Sequence, residues 1–182
     1  MTSWRERLQI REPEEVDADG LERTAVVVPV YVDEGRDAAL FTRRADDLPR
    51  HAGQVSFPGG RQEDADASLR ETALREIQEE VGVAPADVEF LGQLDDVPTT
   101  TGYVIRPYVG AIPYPYDFDV RSDEVDSLIL APLDDLTHPS VHEERTRGDF
   151  TIHYFHYDEY TIWGATAAIL VELLDVAVDW QP

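Results

Sequence analysis

Three glutamates at helical spacing give this sequence its clearest chemical signal. A helical period runs from residue 67 to residue 81, and its acidic face carries Glu76, Glu79 and Glu80 within one arc of roughly 100°. The adjacent face is apolar and is expected to pack into the core: Leu74, Ile77 and Val81. Like charges this close destabilise a helix unless a cation lies among them. Carboxylates one turn apart suit Mg²⁺ or Mn²⁺, so the pattern predicts a metal site; a solvated acidic face is the alternative.

A basic segment comes directly before this helix. Residues 42–61 contain two acidic and four basic side chains, a local charge of +2 in a chain of -23. The four basic residues are Arg43, Arg44, Arg50 and Arg61. Arginine presents fork-shaped donors to phosphate oxygens, and Gly59 and Gly60 let the backbone approach a ligand closely. The segment therefore predicts an anionic, metal-bridged ligand such as a pyrophosphate; for each arginine alone, a surface ion pair is the alternative.

The composition excludes several classes of function. The 182 residues include no Cys, which excludes disulfides, thiolate nucleophiles and Cys-ligated metals. With 15 basic against 38 acidic residues, we expect no nucleic-acid partner. The longest apolar run, residues 25–32, is too short to span a bilayer, and residues 1–11 lack the apolar centre of a signal peptide. We therefore expect a cytoplasmic protein with no membrane partner.

The basic residues are all arginine, because the sequence contains no Lys. A large acidic excess without Lys is typical of proteins from salt-loving organisms, where concentrated salt screens self-repulsion. The sequence therefore predicts a halophilic protein; an acidic protein from an ordinary, GC-rich organism is the alternative.

The pattern of apolar residues predicts an α/β protein. The β-branched run 24–32 predicts a strand buried on both faces. Further strands are predicted at 38–42, 53–57, 88–94, 104–112, 127–130 and 151–157. The helix at 67–81 is expected to have Asp66 as its cap and Gly82 as its stop, and a last helix is predicted at 165–176. Strands with a central and a terminal helix favour an α/β/α sandwich on a mixed β-sheet.

The remaining segments are expected to connect these elements. Residues 1–21 read as an acidic N-terminal segment with a short helix, and residues 22–182 as one domain. Pro58, Gly59 and Gly60 predict a tight turn. None of the five histidines has a spacing typical of a metal site, and His153 and His156 would lie on opposite faces of a strand.

Residues 60–83 resemble the Nudix box. Gly60 is followed by five residues, Asp66, eight residues and then REIQEEVGV, which matches the core REUxEExGU in full. The spacing to Arg75 is one residue longer than in the common form. This longer spacing and two segments resemble the coenzyme A pyrophosphatase branch: LFTRRADDLPRHAGQVSFPGG at 40–60 and YTIWGATAAI at 160–169. The pattern departs at Pro49, where that branch usually has an arginine; Arg50 is adjacent.

The resemblance implies a role for each matching residue. Glu76 and Glu80 would bind Mg²⁺ or Mn²⁺, with Glu79 as a further ligand or a positioner of water. Gly60 would add its carbonyl to the metal shell, and Arg75 would orient the glutamates. The general base would be Glu79 or Glu124, and a polar loop offers two third choices, Glu143 and Glu144.

The resemblance implies a metal-dependent Nudix hydrolase of a nucleotide-type small molecule. With coenzyme A as substrate, the products would be 4'-phosphopantetheine and adenosine 3',5'-bisphosphate. Another nucleoside diphosphate derivative such as ADP-ribose or a dinucleotide stays open as substrate, as does a non-catalytic nucleotide-binding module. A homodimer is likewise left open.

Overall fold

The computed structural model describes residues 3–47, 51–120, 123–148 and 150–182. Its α-helices are α1 (Trp4–Gln9), α2 (Leu69–Val81), α3 (Leu133–Leu136) and α4 (Gly164–Val178), with a 3-10 helix at Pro85–Asp87. The strands are β1 (Glu22–Asp33), β2 (Arg36–Arg44), β3 (Val55–Ser56), β4 (Gly59–Arg61), β5 (Glu89–Gln93), β6 (Val97–Pro98), β7 (Tyr103–Ala111), β8 (Val125–Pro132), β9 (His142–Arg147), β10 (Phe150–Tyr157) and β11 (Tyr160–Trp163).

A mixed sheet forms the centre of the molecule. Among the described residues it has eight strands, with β3, β2, β1, β7 and β5 side by side in that order. Strand β1 runs parallel to β7 and antiparallel to β2 and β4. Strands β8 and β6 pair with β2 and β7 respectively. A second, antiparallel sheet consists of β11, β10 and β9.

The two faces of the central sheet are covered by different helices. Along β1, Ala25 and Val27 belong to the apolar cluster that contains α2, whereas Val28 and Val30 belong to the cluster that contains α4. This alternation follows from the two-residue period of a strand. The predicted α/β/α sandwich on a mixed sheet is therefore confirmed, and it places α2 against one face of β1.

Helix α1 packs into the same apolar cluster as α4. Leu8 is 1% exposed, and the Trp4 Nε1 donates to the Asp37 carboxylate at 2.9 Å. The absence of a side chain at Gly92 allows α1 to pack closely on β5, because a Cβ there would lie 2.8 Å from the Leu8 Cγ. The helix is thus held by buried side chains on both strand β5 and helix α4.

Helix α2 begins two residues later than predicted. Its N-cap is Ser68, whose hydroxyl accepts from the Glu71 N–H at 3.2 Å, so the prediction that Asp66 caps the helix is wrong. The Asp66 carboxylate is instead bound by Arg75. Gly82 ends the helix as predicted, with φ +78°, and Leu74 is only half-buried.

Two segments predicted as turn or loop are strands. Residues 58–60 were expected to form a tight turn, but Gly59 and Gly60 pair with β1 in strand β4. Glu143 and Glu144, which were predicted to lie in a polar loop, belong to strand β9, which pairs with β10. Backbone pairing needs no apolar side chain, so neither segment carries a strand pattern in its side chains. No helix of the described residues is long and apolar enough to span a membrane.

Candidate functional site

Helix α2 and strand β4 bring the Glu76 carboxylate next to the backbone of Gly60. Both elements pack on β1, which sets the acidic face of the helix against Gly59 and Gly60. A Cβ on Gly60 would lie 2.6 Å from the Cδ of Glu76, closer than any real contact. Only glycine at this position leaves room for the Glu76 carboxylate, so the backbone of residue 60 borders the acidic cluster directly.

Glu80 is the buried member of the cluster. Glu80 is only 7% exposed, and its carboxylate accepts a hydrogen bond from the Gly59 N–H. Burial, together with the charge of the neighbouring Glu76, raises the pKa of the Glu80 carboxyl to about 8, although the Gly59 N–H and Arg44 act in the opposite direction. Among the described residues, the Oε2 of Glu80 has no hydrogen-bond partner. A buried carboxylate oxygen without a donor is costly, and a cation would satisfy it.

Glu76 and Glu79 extend the cluster towards solvent. Burial raises the pKa of Glu76, and the charges of Glu79 and Glu124 act in the same direction, whereas Arg75 lowers it. The Arg75 Nη1 donates to Glu76 at 2.8 Å and to Glu79 at 3.3 Å. Glu79 keeps 58% of its side chain exposed. The cluster thus passes from a buried carboxylate to an accessible one within one helical turn.

Arg75 is itself held in place by Asp66. The Nε and Nη2 of Arg75 donate to the two Asp66 oxygens at 3.2 and 3.0 Å, and Nη2 also donates to the Arg61 carbonyl at 3.0 Å. The Arg75 guanidinium lowers the pKa of Asp66 to about 2, with help from the Glu63 N–H and the Thr72 hydroxyl. Sequence reasoning missed this clamp. The signal for it is the acidic position between Gly60 and Arg75 in the motif.

Arg44, the last residue of β2, and Glu124, in the turn before β8, join the cluster. The Arg44 Nη2 lies 3.2 Å from the Glu124 carboxylate, and the Ala45 N–H donates to the Glu124 carbonyl at 2.9 Å. Glu124 is close enough to raise the pKa of both Glu76 and Glu80. Within the described ranges, the buried Nε of Arg44 has no hydrogen-bond partner. The structure therefore unites these two predicted residues with the glutamates of α2.

The other predicted arginines have different surroundings. Arg43, next to Arg44 on β2, forms ion pairs with Asp46 at 2.6 Å and Asp126 at 3.0 Å. Arg61 contacts Tyr103 and lies 3.2 Å from Glu22. Arg50 falls in residues 48–50, outside the described residues. Of the three arginines that the structure describes, Arg44 is the one that it brings to the glutamate cluster, by contact with Glu124.

A cavity of about 350 Å³ lies beside Arg43. One wall consists of residues 51–55 and the other of Glu159, Tyr160, Thr161 and Trp163. Apart from Glu159, the residues of these two walls belong to the segments 40–60 and 160–169, which are far apart in the chain. Strand pairing of β3 with β2 places the first wall next to the arginines.

Glu143 and Glu144 lie on β9 of the second sheet. Glu143 accepts hydrogen bonds from Arg145 at 2.7 Å and is 3.1 Å from the Nε2 of His156. Glu144 lies 3.5 Å from the Nδ1 of His153. Both carboxylates therefore face partners within their own sheet.

The donor set at the acidic cluster fits a hard divalent cation. Glu76, Glu80 and Glu79 offer carboxylate oxygens, and the backbone of Gly60 borders them without a side chain in between. Oxygen donors of this kind suit Mg²⁺ and Mn²⁺ better than softer metals. The orphaned Glu80 oxygen is the observation that a bound cation would explain.

Comparison with known proteins agrees with this geometry. Residues 21–162 match the family model described as the NUDIX domain. A Citrobacter koseri protein named uncharacterized Nudix hydrolase NudL is 40% identical over 175 residues, which cover 92% of this chain and 89% of that protein. The Escherichia coli protein of the same name is 39% identical over 155 residues, 83% of this chain and 80% of its own length.

Solved structures share the fold. A MutT/nudix family protein from Enterococcus faecalis covers 94% of this chain and 66% of its own, with a TM-score of 0.62 and 19% identity. The NUDIX domain of Shewanella oneidensis NrtR, solved with ADP-ribose, covers 63% of this chain and 75% of its own, with a TM-score of 0.53 and 25% identity. Together with the glutamate helix and its Gly-Gly strand, these matches show that the chain belongs to the Nudix hydrolase family.

Proposed function

We propose that the protein is a metal-dependent pyrophosphohydrolase that cleaves coenzyme A or its derivatives. The observation that carries the proposal is the buried Glu80 carboxylate, which has an unpartnered oxygen among the described residues and lies beside a second carboxylate, Glu76. Two neighbouring carboxylates, one of them buried, destabilise the fold without a cation, whereas with a bound cation they form a site for metal-ion catalysis. A binding module would have no need for this cost.

Each residue of the cluster has a task in this proposal. Glu76 and Glu80 would hold Mg²⁺ or Mn²⁺, and the Gly60 carbonyl and Glu79 would be further oxygen donors. A bound divalent cation supplies Lewis acidity and lowers the pKa of water. Arg75, fixed by Asp66, orients Glu76 and Glu79 through charge-assisted hydrogen bonds of 2.8 and 3.3 Å. Arg44 offers a free Nε, among the described residues, to a phosphate oxygen.

The cavity beside Arg43 supports coenzyme A as the substrate. The two sequence segments that resemble the coenzyme A pyrophosphatase branch supply all of its lining residues except Glu159. A cavity of about 350 Å³ is within the range that holds part of a small ligand. We propose that Arg43 binds the substrate there, with Arg50 and Arg61 as further contacts, and that cytoplasmic coenzyme A is hydrolysed to 4'-phosphopantetheine and adenosine 3',5'-bisphosphate.

A substrate comparison tests this proposal. Coenzyme A, ADP-ribose and a diadenosine polyphosphate are incubated with the full chain and Mg²⁺ or Mn²⁺, and the products are separated by chromatography. We expect the highest kcat/KM with coenzyme A and release of adenosine 3',5'-bisphosphate. A preference for ADP-ribose, the ligand of the Shewanella oneidensis domain, would contradict coenzyme A as the substrate and leave the proposed pyrophosphate hydrolysis in place. Absence of turnover on all three would favour a nucleotide-binding module.

The general base is proposed to be Glu79 or Glu124, the two accessible carboxylates at the cluster. Replacing the true base by glutamine should lower kcat by about 10²-fold to 10⁴-fold and flatten the rise of kcat with pH. The variant at the other position should keep the pH profile of the wild type, whatever its kcat. The pH profiles of Glu79→Gln and Glu124→Gln decide between them, and two unchanged profiles would place the base elsewhere.

The acidic surface leads to a separate proposal, adaptation to concentrated salt. Since 38 acidic residues face only 15 basic ones, self-repulsion opposes folding in dilute buffer. At 1 M salt the Debye length falls to about 3 Å, which screens this repulsion. We expect the Tm and the hydrolysis rate to rise as KCl increases towards the molar range. A Tm that is equal in dilute buffer and in 2 M KCl would contradict halophilic adaptation.

A further inference from the structure

A second group of metal-ligating side chains lies on the three-stranded sheet. His142 and Glu144 are two residues apart on β9 and therefore share one face. His153 on β10 is directly opposite Glu144 in the strand register, so it projects to the same face. One ligand atom from each of the three side chains lies within 4.8 Å of the other two.

Two distances in this group are close to those between the ligands of a tetrahedral metal site. The Nε2 of His142 lies 3.0 Å from the Nδ1 of His153, and that Nδ1 lies 3.5 Å from a Glu144 carboxylate oxygen. Ligands bound at about 2.0–2.1 Å in tetrahedral geometry are separated from each other by about 3.3 Å. The two observed separations lie on either side of this value.

Hydrogen bonding cannot satisfy all three side chains of this group at once. The Nδ1 of His153 faces both an imidazole nitrogen and a carboxylate, but a neutral ring nitrogen has one proton or one lone pair. It can therefore satisfy only one of these two neighbours by a hydrogen bond. A cation between the three atoms would satisfy all of them.

The surroundings hold the two imidazoles in place. His142 packs edge-on against Trp180, with ring centroids 4.9 Å apart, and against the fully buried Phe155 at 5.0 Å. The rings of His142 and His153 lie nearly parallel, with 24° between their planes. Both histidines are half-buried, whereas Glu144 is exposed, so the group is rigid on one side and open to solvent on the other.

We propose that His142, His153 and Glu144 form a binding site for Zn²⁺ or a similar transition-metal ion. Two imidazole nitrogens and one carboxylate leave a fourth position for water, a donor set that suits Zn²⁺. The site differs in chemistry from the all-oxygen cluster of α2, which suits Mg²⁺. A bound ion would join β9 to β10 beside the end of α4.

Zn²⁺ titration of the full chain in excess Mg²⁺ tests the proposal, because Mg²⁺ competes at the oxygen cluster and not at the imidazoles. Isothermal titration calorimetry should show one Zn²⁺ site in the wild type. His153→Gln should weaken this site at least tenfold or abolish it, and Co²⁺ should give visible absorption bands that His153→Gln loses. Added Zn²⁺ should raise the Tm of the wild type and leave the Tm of the variant unchanged.

The matched control is His156→Gln. His156 lies on the same strand but faces the other way, bonded to Thr161 and Glu143, so its loss should leave Zn²⁺ binding unchanged. Glu144→Gln, at an exposed position, provides a second test if His153→Gln fails to fold, and it too should weaken the site at least tenfold. No Zn²⁺ binding in excess Mg²⁺, or equal binding by the wild type and the tested variant, would overturn the proposal.

Discussion

Glu80→Gln is expected to abolish hydrolysis and to stabilise the metal-free protein. The substitution removes a proposed metal ligand without changing side-chain volume, so kcat should fall by more than about 100-fold. The stability effect comes from linkage. Burial raises the pKa of Glu80 from its ordinary 4.5 to about 8, so the folded protein binds a proton that the unfolded chain releases.

The sign of this effect sets the pH at which it is measured. Because the native state binds more protons, the contribution of Glu80 to the free energy of unfolding falls as pH rises from 4.5 to 8. Glutamine does not titrate, so the variant avoids the loss. At pH 8 the gain should be on the order of 4 kcal/mol, and it should disappear near pH 4.5.

Denaturant unfolding in EDTA at pH 5 and pH 8, together with kcat in Mg²⁺, measures both parts. Glu79→Gln is the matched control for stability, because Glu79 lies on the same helix with 58% of its side chain exposed. Because the Glu79 carboxylate is not buried, its replacement should give no gain in stability comparable to that of Glu80→Gln. Mg²⁺ should stabilise the wild type and have little effect on Glu80→Gln. Wild-type turnover by Glu80→Gln would refute the assignment of Glu80 to the metal.

Gly60→Ala is expected to remove activity while leaving the fold intact. The new Cβ would overlap the Glu76 carboxylate, with its Cδ at 2.6 Å. The atoms it meets are the far end of a flexible side chain, so the carboxylate rotates away at a cost of less than about 1 kcal/mol. A shift of about 1 Å in a catalytic group costs about 100-fold in rate. We therefore expect a loss of that order in kcat/KM, with a nearly unchanged Tm.

The neighbouring glycine provides the contrast. A Cβ on Gly59 would lie 2.5 Å from the Val26 Cγ1 and 2.7 Å from the Val26 Cα, in the centre of β1. The backbone of a central strand cannot rotate away, so Gly59→Ala should destabilise the protein by about 3 kcal/mol. Kinetics and melting curves of the two variants separate the roles. If Gly60→Ala lowers the Tm as much as Gly59→Ala does, residue 60 acts through the fold and not through Glu76.

The elements with an apolar period were predictable, and the purely polar ones were not. Strand β1 and helices α2 and α4 follow their predicted positions closely because buried residues recur at strand or helix spacing. Strand β9 reads HEERTR, without one apolar residue, and its exposed position lets backbone pairing with β10 decide its structure. A pattern of burial cannot predict a strand that buries little.

The same limit explains what could be predicted of the candidate site. Helix spacing predicts that Glu76, Glu79 and Glu80 share one face of α2, and the structure brings them together there. It does not give the burial of Glu80, because that depends on β4 pairing with β1 and presenting the Gly59 N–H. The group of His142, Glu144 and His153 could not be predicted for a related reason. Only the register of β9 against β10 brings His142 and His153 together, and no regular spacing along the chain encodes it.

Helix α1 lies outside residues 21–162, which match the family model, yet two of its side chains are buried in the interior of the molecule. The match begins at residue 21, whereas Trp4 and Leu8 fill space between β5 and α4. Cutting the chain at the family boundary would uncover this space, and each lost large side chain leaves a cavity worth about 2–5 kcal/mol. Recombinant fragments, affinity tags and fusion partners should therefore be planned around residue 4, with a spacer that leaves the α1 contacts undisturbed.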